Sequence, residues 1–115
     1  MMTFSKESKI REGFIRVFKE HIGKGPRNTE VRIFKKMVIV IMQDVLTELE
    51  KNLISYGDHE AVMIIRDKIA EPAIPKYKAM LEQETGKQVS DMMSKHNLEA
   101  NERYYVFIFE ENIES

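Results

Sequence analysis

The chain has 115 residues, of which 43% are hydrophobic and 32% charged, so we expect one folded domain over residues 1–115 rather than global disorder. It contains no cysteine, which excludes disulfides and thiolate zinc sites and fits a reducing compartment. The net charge of −1 divides into +6 over residues 1–36 and −7 over the remainder. The basic first third can therefore attract anionic lipid, nucleic acid or an acidic partner. It can also contact the acidic remainder of the same chain or of a second copy.

The sequence carries no signal for export or membrane insertion. The first nine residues, MMTFSKESK, have neither the apolar stretch nor the cleavage site of a signal peptide. The longest apolar run, Met37–Met42, is far shorter than the ~20 residues that a membrane-spanning helix needs. We therefore expect a cytoplasmic protein without a membrane-spanning segment.

The first predicted element is a helix from about Ser5 to Ile22. Its apolar residues recur at helical spacing and form one stripe, whereas its lysines and arginines fall mostly off that stripe. Gly13 either weakens this helix or lets another backbone approach closely. Gly23 is expected to end the helix as a left-handed C-terminal residue.

The segment GKGPRNTE, Gly23–Glu30, has two competing interpretations. Phosphate-binding loops join a strand to a helix N-terminus, whose partial positive charge attracts anions, whereas this segment follows a helix. We therefore interpret Gly25 and Pro26 as a turn into a strand. The alternative keeps Lys24, Gly25 and Arg27 as a rigid loop that presents cations to a carboxylate or phosphate of a partner.

Two strands are expected next. Val31 and Ile33 alternate with charged residues, which predicts a half-buried strand, and Lys35-Lys36 is a plausible hairpin tip. The run Met37–Met42 is apolar at every position, which predicts a central strand that is covered on both faces.

The second helix is predicted from a capping box. Thr47 is a good N-terminal cap, and Glu50 stands three residues later, where its carboxylate can accept from the cap amide. Tyr56-Gly57-Asp58 ends this helix, and Asp58 can cap the following one. The capping role of Glu50 explains its position without a catalytic function.

The third helical segment contains Arg66, Pro72 and Pro75 and ends at Gly86, a natural left-handed cap. The prolines indicate either a kinked helix or a new helix that starts near Pro75. Arg66 lies beside the apolar side of its helix. A salt bridge to Asp44 or Glu50 is the structural interpretation of this arginine, and anion recognition is the alternative.

Two further strands complete the chain: a weaker one in KQVSDMMSK and a stronger one at Arg103–Glu111, joined by the connector His96–Asn101. The order α-β-β-α-α-(α)-β-β predicts an α+β fold in which two hairpins form a four-stranded antiparallel sheet, with helices packed mainly on one face. The final strand is apolar on both sides. A second subunit could cover the other face, so we expect a homodimer.

No catalytic residue, metal site or cofactor is predicted. The three histidines lack the spacing of metal ligands, and neither a serine elbow nor a cysteine nucleophile is present. Nucleic-acid binding by the basic first third is a further alternative, but the acidic remainder and the lack of a helix-turn-helix pattern argue against it.

Several motifs in order resemble the Na+-translocating membrane-potential-generating system component C family over about residues 5–110. They are GKGP after an amphipathic helix, LTELE, an arginine in the next helix, and ETGKQV before an aromatic strand. The resemblance implies a bacterial protein that works with a membrane complex moving sodium or inorganic carbon, and it brings no catalytic residues. The matching positions are Gly23, Gly25, Pro26, Leu46, Thr47, Glu50, Arg66, Thr85, Gly86 and Val89.

We therefore predict a non-enzymatic accessory or regulatory protein, a homodimer, that associates with a membrane transporter complex through its Gly23–Arg27 loop and basic first helix. The alternative is a small-anion sensor or enzyme centred on Arg66 and neighbouring acids.

Overall fold

A computed structural model describes residues 5–114. They form, in order, α1 (Lys6–Ile22), β1 (Asn28–Phe34), β2 (Met37–Gln43), α2 (Glu48–Ser55), α3 (His59–Thr85), β3 (Val89–Asn97) and β4 (Glu102–Phe109). The strands make one antiparallel sheet in the order β1-β2-β4-β3. The predicted α+β class, element order and two-hairpin sheet are confirmed. Residues 1–4, part of the segment in which no signal peptide was expected, and residue 115 lie outside the described range.

The predicted helix ends are confirmed by their hydrogen bonds. Gly23 adopts φ 88°, a left-handed conformation that favours glycine, and its amide donates to Lys19 O at 2.9 Å. Thr47 and Glu50 form the complete capping box at the start of α2. Gly86 ends α3 at φ 70° and donates to Glu82 O.

Helix α3 is continuous through both of its prolines. Pro72 and Pro75 are exposed, and so are Lys68 and Glu71, the residues whose carbonyls lose their α-helical hydrogen bonds to the prolines. Water can bind those carbonyls on the exposed side, so the helix survives and keeps Ala73 buried against the core. The segment is therefore one helix of 27 residues.

The core lies between the sheet and the helices on one of its faces. Phe14 of α1 stacks on Tyr77 of α3 with ring centroids 4.7 Å apart, and both rings contact Tyr105 and Phe107 of β4. Gly13 makes this packing possible, because a Cβ there would stand 2.6 Å from the sulfur of Met80. The close approach at this glycine is therefore made by the Met80 side chain of α3 and not, as expected, by another backbone.

Within the single chain, the described helices cover only one face of β2. Val38, Val40 and Met42 are buried beneath the helices, whereas Met37, Ile39 and Ile41 on the other face are only partly buried. The apolar run Met37–Met42 therefore has one face buried beneath the helices and a second apolar face that the described helices do not cover.

The boundary of the last hairpin also differs from the prediction. His96 and Asn97, expected in a connector, belong to β3 and pair with Arg103 and Glu102 of β4. The connecting turn is shorter and ends at Asn101, which adopts φ 55°. This extension brings His96 onto the helix-covered side of the sheet, beside Arg103.

Candidate functional site

The Gly23–Arg27 loop rests on the connection between β2 and α2. Lys24 Nζ lies 3.4 Å from Asp44 Oδ1 and 3.3 Å from Leu46 O. The hydrogen bond and charge of Lys24 lower the pKa of Asp44. Arg27 has an exposed side chain, and its backbone amide donates to Gln43 O at 2.9 Å. The structure thus places Lys24 in a contact that shapes the loop and leaves Arg27 facing solvent.

Asn101, which the sequence did not single out, holds the same connection from the other hairpin. Its side-chain oxygen accepts from the amides of Val45 and Leu46, both at 2.9 Å. Its side-chain nitrogen donates to Asp44 Oδ1 at 3.2 Å. The start of β4 and the start of α2 are therefore tied together through one amide side chain.

Arg66 pairs with Glu50, one of the two acids predicted for it. Arg66 Nε donates to Glu50 Oε2 at 2.6 Å and Nη2 donates to Oε1 at 2.7 Å, and both side chains are at least 96% buried. Arg66 Nη2 also donates to Val45 O. Glu50 in turn accepts from the amide and hydroxyl of Thr47, both at 2.9 Å. The single buried carboxylate of Glu50 thus serves the α2 cap and neutralises Arg66.

A cavity of about 20 Å³ lies next to this ion pair, between the last turn of α1, the middle of α3 and the hairpin β3–β4. Its lining combines apolar side chains such as Phe18, Ile69 and Ala73 with several polar ones. The polar lining residues are His21, Arg66, Tyr77, His96, Arg103 and Tyr105.

Arg103 is the second buried guanidinium at this cavity, and only 5% of its surface is exposed. Its Nη2 donates to Ser94 Oγ at 3.1 Å, and its guanidinium lies over the Tyr105 ring at 4.6 Å from the centroid. Its Nε is buried and has no hydrogen-bond partner. Within residues 5–114, no carboxylate lies within 4 Å of this guanidinium. Arg103 therefore lacks the acidic partner that Arg66 has.

His96 stands directly opposite Arg103 on the neighbouring strand. Burial, followed by the positive charges of Arg103 and Arg66, lowers the pKa of His96 to about 4. The Asp67 carboxylate lies 3.8 Å from His96 Nε2, outside hydrogen-bond distance, and its side chain is 74% exposed. His96 Nε2 consequently has no hydrogen-bond partner. Burial and the neighbouring Tyr105 also raise the pKa of Tyr77 above its ordinary range, so its hydroxyl is neutral.

The sequence offered one signal for this site that was not used. Arg103 shares the two-residue period of Tyr105, Phe107 and Phe109, so it belongs on the face of β4 that forms the core. A charged residue in that series is a candidate buried cation. The face of the sheet on which His96 lies could not be predicted in this way, because the sequence did not show that β3 extends to this residue.

The described residues offer little to a metal ion. Between residues 5 and 114, no three histidine or acidic side chains are arranged so that they could hold one. The cavity instead offers hydrogen-bond donors and a positive charge, which suit an anionic ligand.

The buried ion pair makes a testable contribution to stability. We expect Arg66→Met to lower the free energy of unfolding by about 3–5 kcal/mol, because it leaves Glu50 buried without its cation. The double variant Glu50→Gln/Arg66→Met should lose less than the sum of the two single variants. Urea unfolding at one fixed protein concentration measures both effects. A loss below about 1 kcal/mol for Arg66→Met would mean that the pair behaves like an exposed one.

The lowered pKa of His96 predicts a pH dependence. The unfolded chain takes up a proton on His96 below about pH 6.5, whereas the folded chain does so only near pH 4. Stability is therefore lost as the pH falls through this window, by at most about 1.4 kcal/mol per pH unit. We expect His96→Gln to reduce this loss, measured by urea unfolding between pH 5 and 6.5. An unchanged pH dependence in the variant would contradict the assignment.

Comparison with known proteins places the chain in a family. A search of curated proteins and a search of solved structures each found no match. Between residues 5 and 114, no helix combines the length and apolar character needed to cross a bilayer. A family model described as Na+-translocating membrane potential-generating system (MpsC) matches residues 3–111. This match spans almost the whole chain and agrees with the resemblance seen in the motifs. The chain therefore belongs to the MpsC family of the Na+-translocating membrane potential-generating system.

Proposed function

We propose that this protein is a non-enzymatic accessory or regulatory component of a Na+-translocating membrane system, and that it acts as a homodimer at the cytoplasmic side of the membrane. Family membership supports the kind of system. The observation that carries the proposal is an apolar sheet surface that the described helices leave uncovered. Such surfaces commonly mark sites of protein association.

This surface, here called the open face, is formed by alternate residues of the four strands. Cross-strand neighbours are Ile39 with Val106 and Ile41 with Tyr104, so the two central strands contribute a continuous apolar centre. Phe34 and Met93 extend it toward the two edges and are 53% and 54% exposed. The apolar members of the open face are Phe34, Met37, Ile39, Ile41, Met93, Tyr104, Val106 and Ile108.

The charges around the open face favour a second copy of the chain as its occupant. Glu30 and Arg32 lie on its β1 side, while Asp91, Lys95 and Glu102 lie toward β3 and β4. This border has three acidic and two basic groups, so it carries both signs of charge. A twofold dimer requires a self-complementary surface of this kind, in which acidic groups can meet basic groups of the sister chain.

The dimer can be tested with one charge on the open face. Val106→Lys places an ammonium at the apolar centre, and we expect it to shift the protein from dimer to monomer in light scattering coupled to size exclusion. Ile64→Lys is the matched control, because Ile64 is 55% exposed on α3 in the helix layer. A monomeric parent protein at about 100 μM, or a Val106→Lys variant that stays dimeric, would contradict the proposal.

A different surface is proposed to contact the membrane complex. The Gly23–Arg27 loop, with Lys24, Gly25 and Arg27, adjoins the C-terminal end of α1, whose Arg16 and Lys19 are exposed. Lys24 fixes the loop through Asp44, and Arg27 supplies its solvent-facing charge. A rigid loop that presents a guanidinium suits a carboxylate or phosphate on a partner.

This contact predicts a charge-specific loss of association. We expect Arg27→Glu to weaken association with membranes containing the Na+ system by about tenfold, and the double variant Lys24→Glu/Arg27→Glu by at least as much. Lys36→Glu is the matched control, since Lys36 is exposed at the opposite end of β1. Cosedimentation with membrane vesicles at several salt concentrations measures the effect. Equal association of parent, Arg27→Glu and Lys36→Glu would rule the loop out.

Small-anion sensing is the second candidate function, and the cavity beside Arg66 favours it. Arg66 itself is neutralised by Glu50, which supports a structural role for that side chain. Binding of nucleic acid by the basic first third remains a prediction, which steeply salt-dependent binding to any duplex would reveal.

A further inference from the structure

The charges around the cavity do not balance. Glu50 and Arg66 form a neutral pair, His96 is neutral near pH 7, and Tyr77 keeps its proton. Arg103 adds one positive charge that no carboxylate within 4 Å compensates in the described chain. Burying a charge without a partner is costly, so a native fold that retains one commonly uses it for a ligand.

Two orphaned donors mark where a ligand would lie. Arg103 Nε and His96 Nε2 are both buried and both lack a hydrogen-bond partner. They belong to directly opposed residues of β3 and β4, and both residues line the same cavity. Neutral His96 can carry its proton on Nε2, so each of the two nitrogens can donate a hydrogen bond.

Charge decides between a water molecule and an anion as that acceptor. A water could accept both hydrogen bonds but would leave the charge of Arg103 uncompensated. An anion would satisfy the donors and the charge together. We propose that this cavity is a binding site for a small monovalent anion, such as a halide, formate or nitrate, held by Arg103 and His96.

The size of the cavity is compatible with a small anion. Its volume of about 20 Å³ exceeds the roughly 10–15 Å³ needed to hold one water molecule. A single-atom or small planar ion therefore fits this space. The lining also includes the apolar side chains of Phe18, Ile69 and Ala73, which would strengthen the attraction by excluding water.

Asp67 provides an internal test of the electrostatics. Its carboxylate lies 3.8 Å from His96 Nε2 and is mostly exposed. Its negative charge would repel an anion bound at His96 Nε2, but the carboxylate does not fill the cavity. Asp67→Asn should therefore raise the affinity for the anion several-fold, whereas loss of Arg103 should abolish binding.

The experiment measures thermal stability at constant sodium concentration while chloride, formate or nitrate replaces gluconate, which is too large for the cavity. We expect Tm to rise by about 5 °C when the small anion exceeds its Kd about tenfold, and to keep rising with the logarithm of its concentration. Arg103→Met should remove this rise and should be no less stable in gluconate, because it removes an uncompensated charge. Lys78→Met, which removes an exposed cation of α3 that has no role in either proposed contact, should keep the rise.

Each outcome decides the proposal. No anion-dependent rise in the parent protein would mean that water alone fills the cavity, and an equal rise in Arg103→Met would mean a general salt effect. An equal rise in Tm with phosphate, lost in Arg103→Met, would contradict a site for a small monovalent anion. Should Arg103→Met fail to fold, an unchanged affinity in Asp67→Asn would still contradict the site. The result is independent of the open face and the Gly23–Arg27 loop.

Discussion

The buried carboxylate of Glu50 is the interaction on which the rest of this structure depends. It completes the capping box of α2 and accepts two hydrogen bonds from Arg66, which in turn donates to the carbonyl of Val45. The end of β2, α2 and α3 thus meet at one negative charge. The second buried guanidinium, that of Arg103, has no carboxylate within 4 Å among the described residues. The cavity is therefore lined by one guanidinium with an acidic partner and one without.

The alternation of β4 connects the two proposed functions. Arg103 and Tyr105 point to the helix-covered side, whereas Tyr104 and Val106 belong to the open face. The same strand therefore lines the cavity on one side and forms the centre of the proposed dimer contact on the other.

Much of the fold could be predicted because its signals are local. Gly23, Thr47, Glu50 and Gly86 act within one helical turn, so their roles as caps follow from sequence spacing alone. The fate of Pro72 and Pro75 could not be predicted in this way. It depends on which side of α3 faces solvent, and that is fixed only when α3 packs on α1 and the sheet.

The candidate site was harder to predict because it joins residues distant in sequence. For Arg66, the sequence predicted a salt bridge to Asp44 or Glu50, with anion recognition as the alternative, and the structure shows the pair with Glu50. Arg103 and His96 become significant only once the register of β3 and β4 is known. Whether these side chains have hydrogen-bond partners depends on tertiary packing, so the local sequence pattern does not predict it. The open face was partly predictable, because the final strand is apolar on both sides, but its exposure follows from where the helices pack.

The central claim is that the cavity beside Arg103 holds an anion rather than water. The most direct test is a crystal structure of the full chain grown with sodium bromide as the only halide, with diffraction data collected at the bromine absorption edge. The account predicts an anomalous peak at hydrogen-bond distance from Arg103 Nε and His96 Nε2, absent from Arg103→Met crystals. An ordered water at that position without anomalous signal would contradict it.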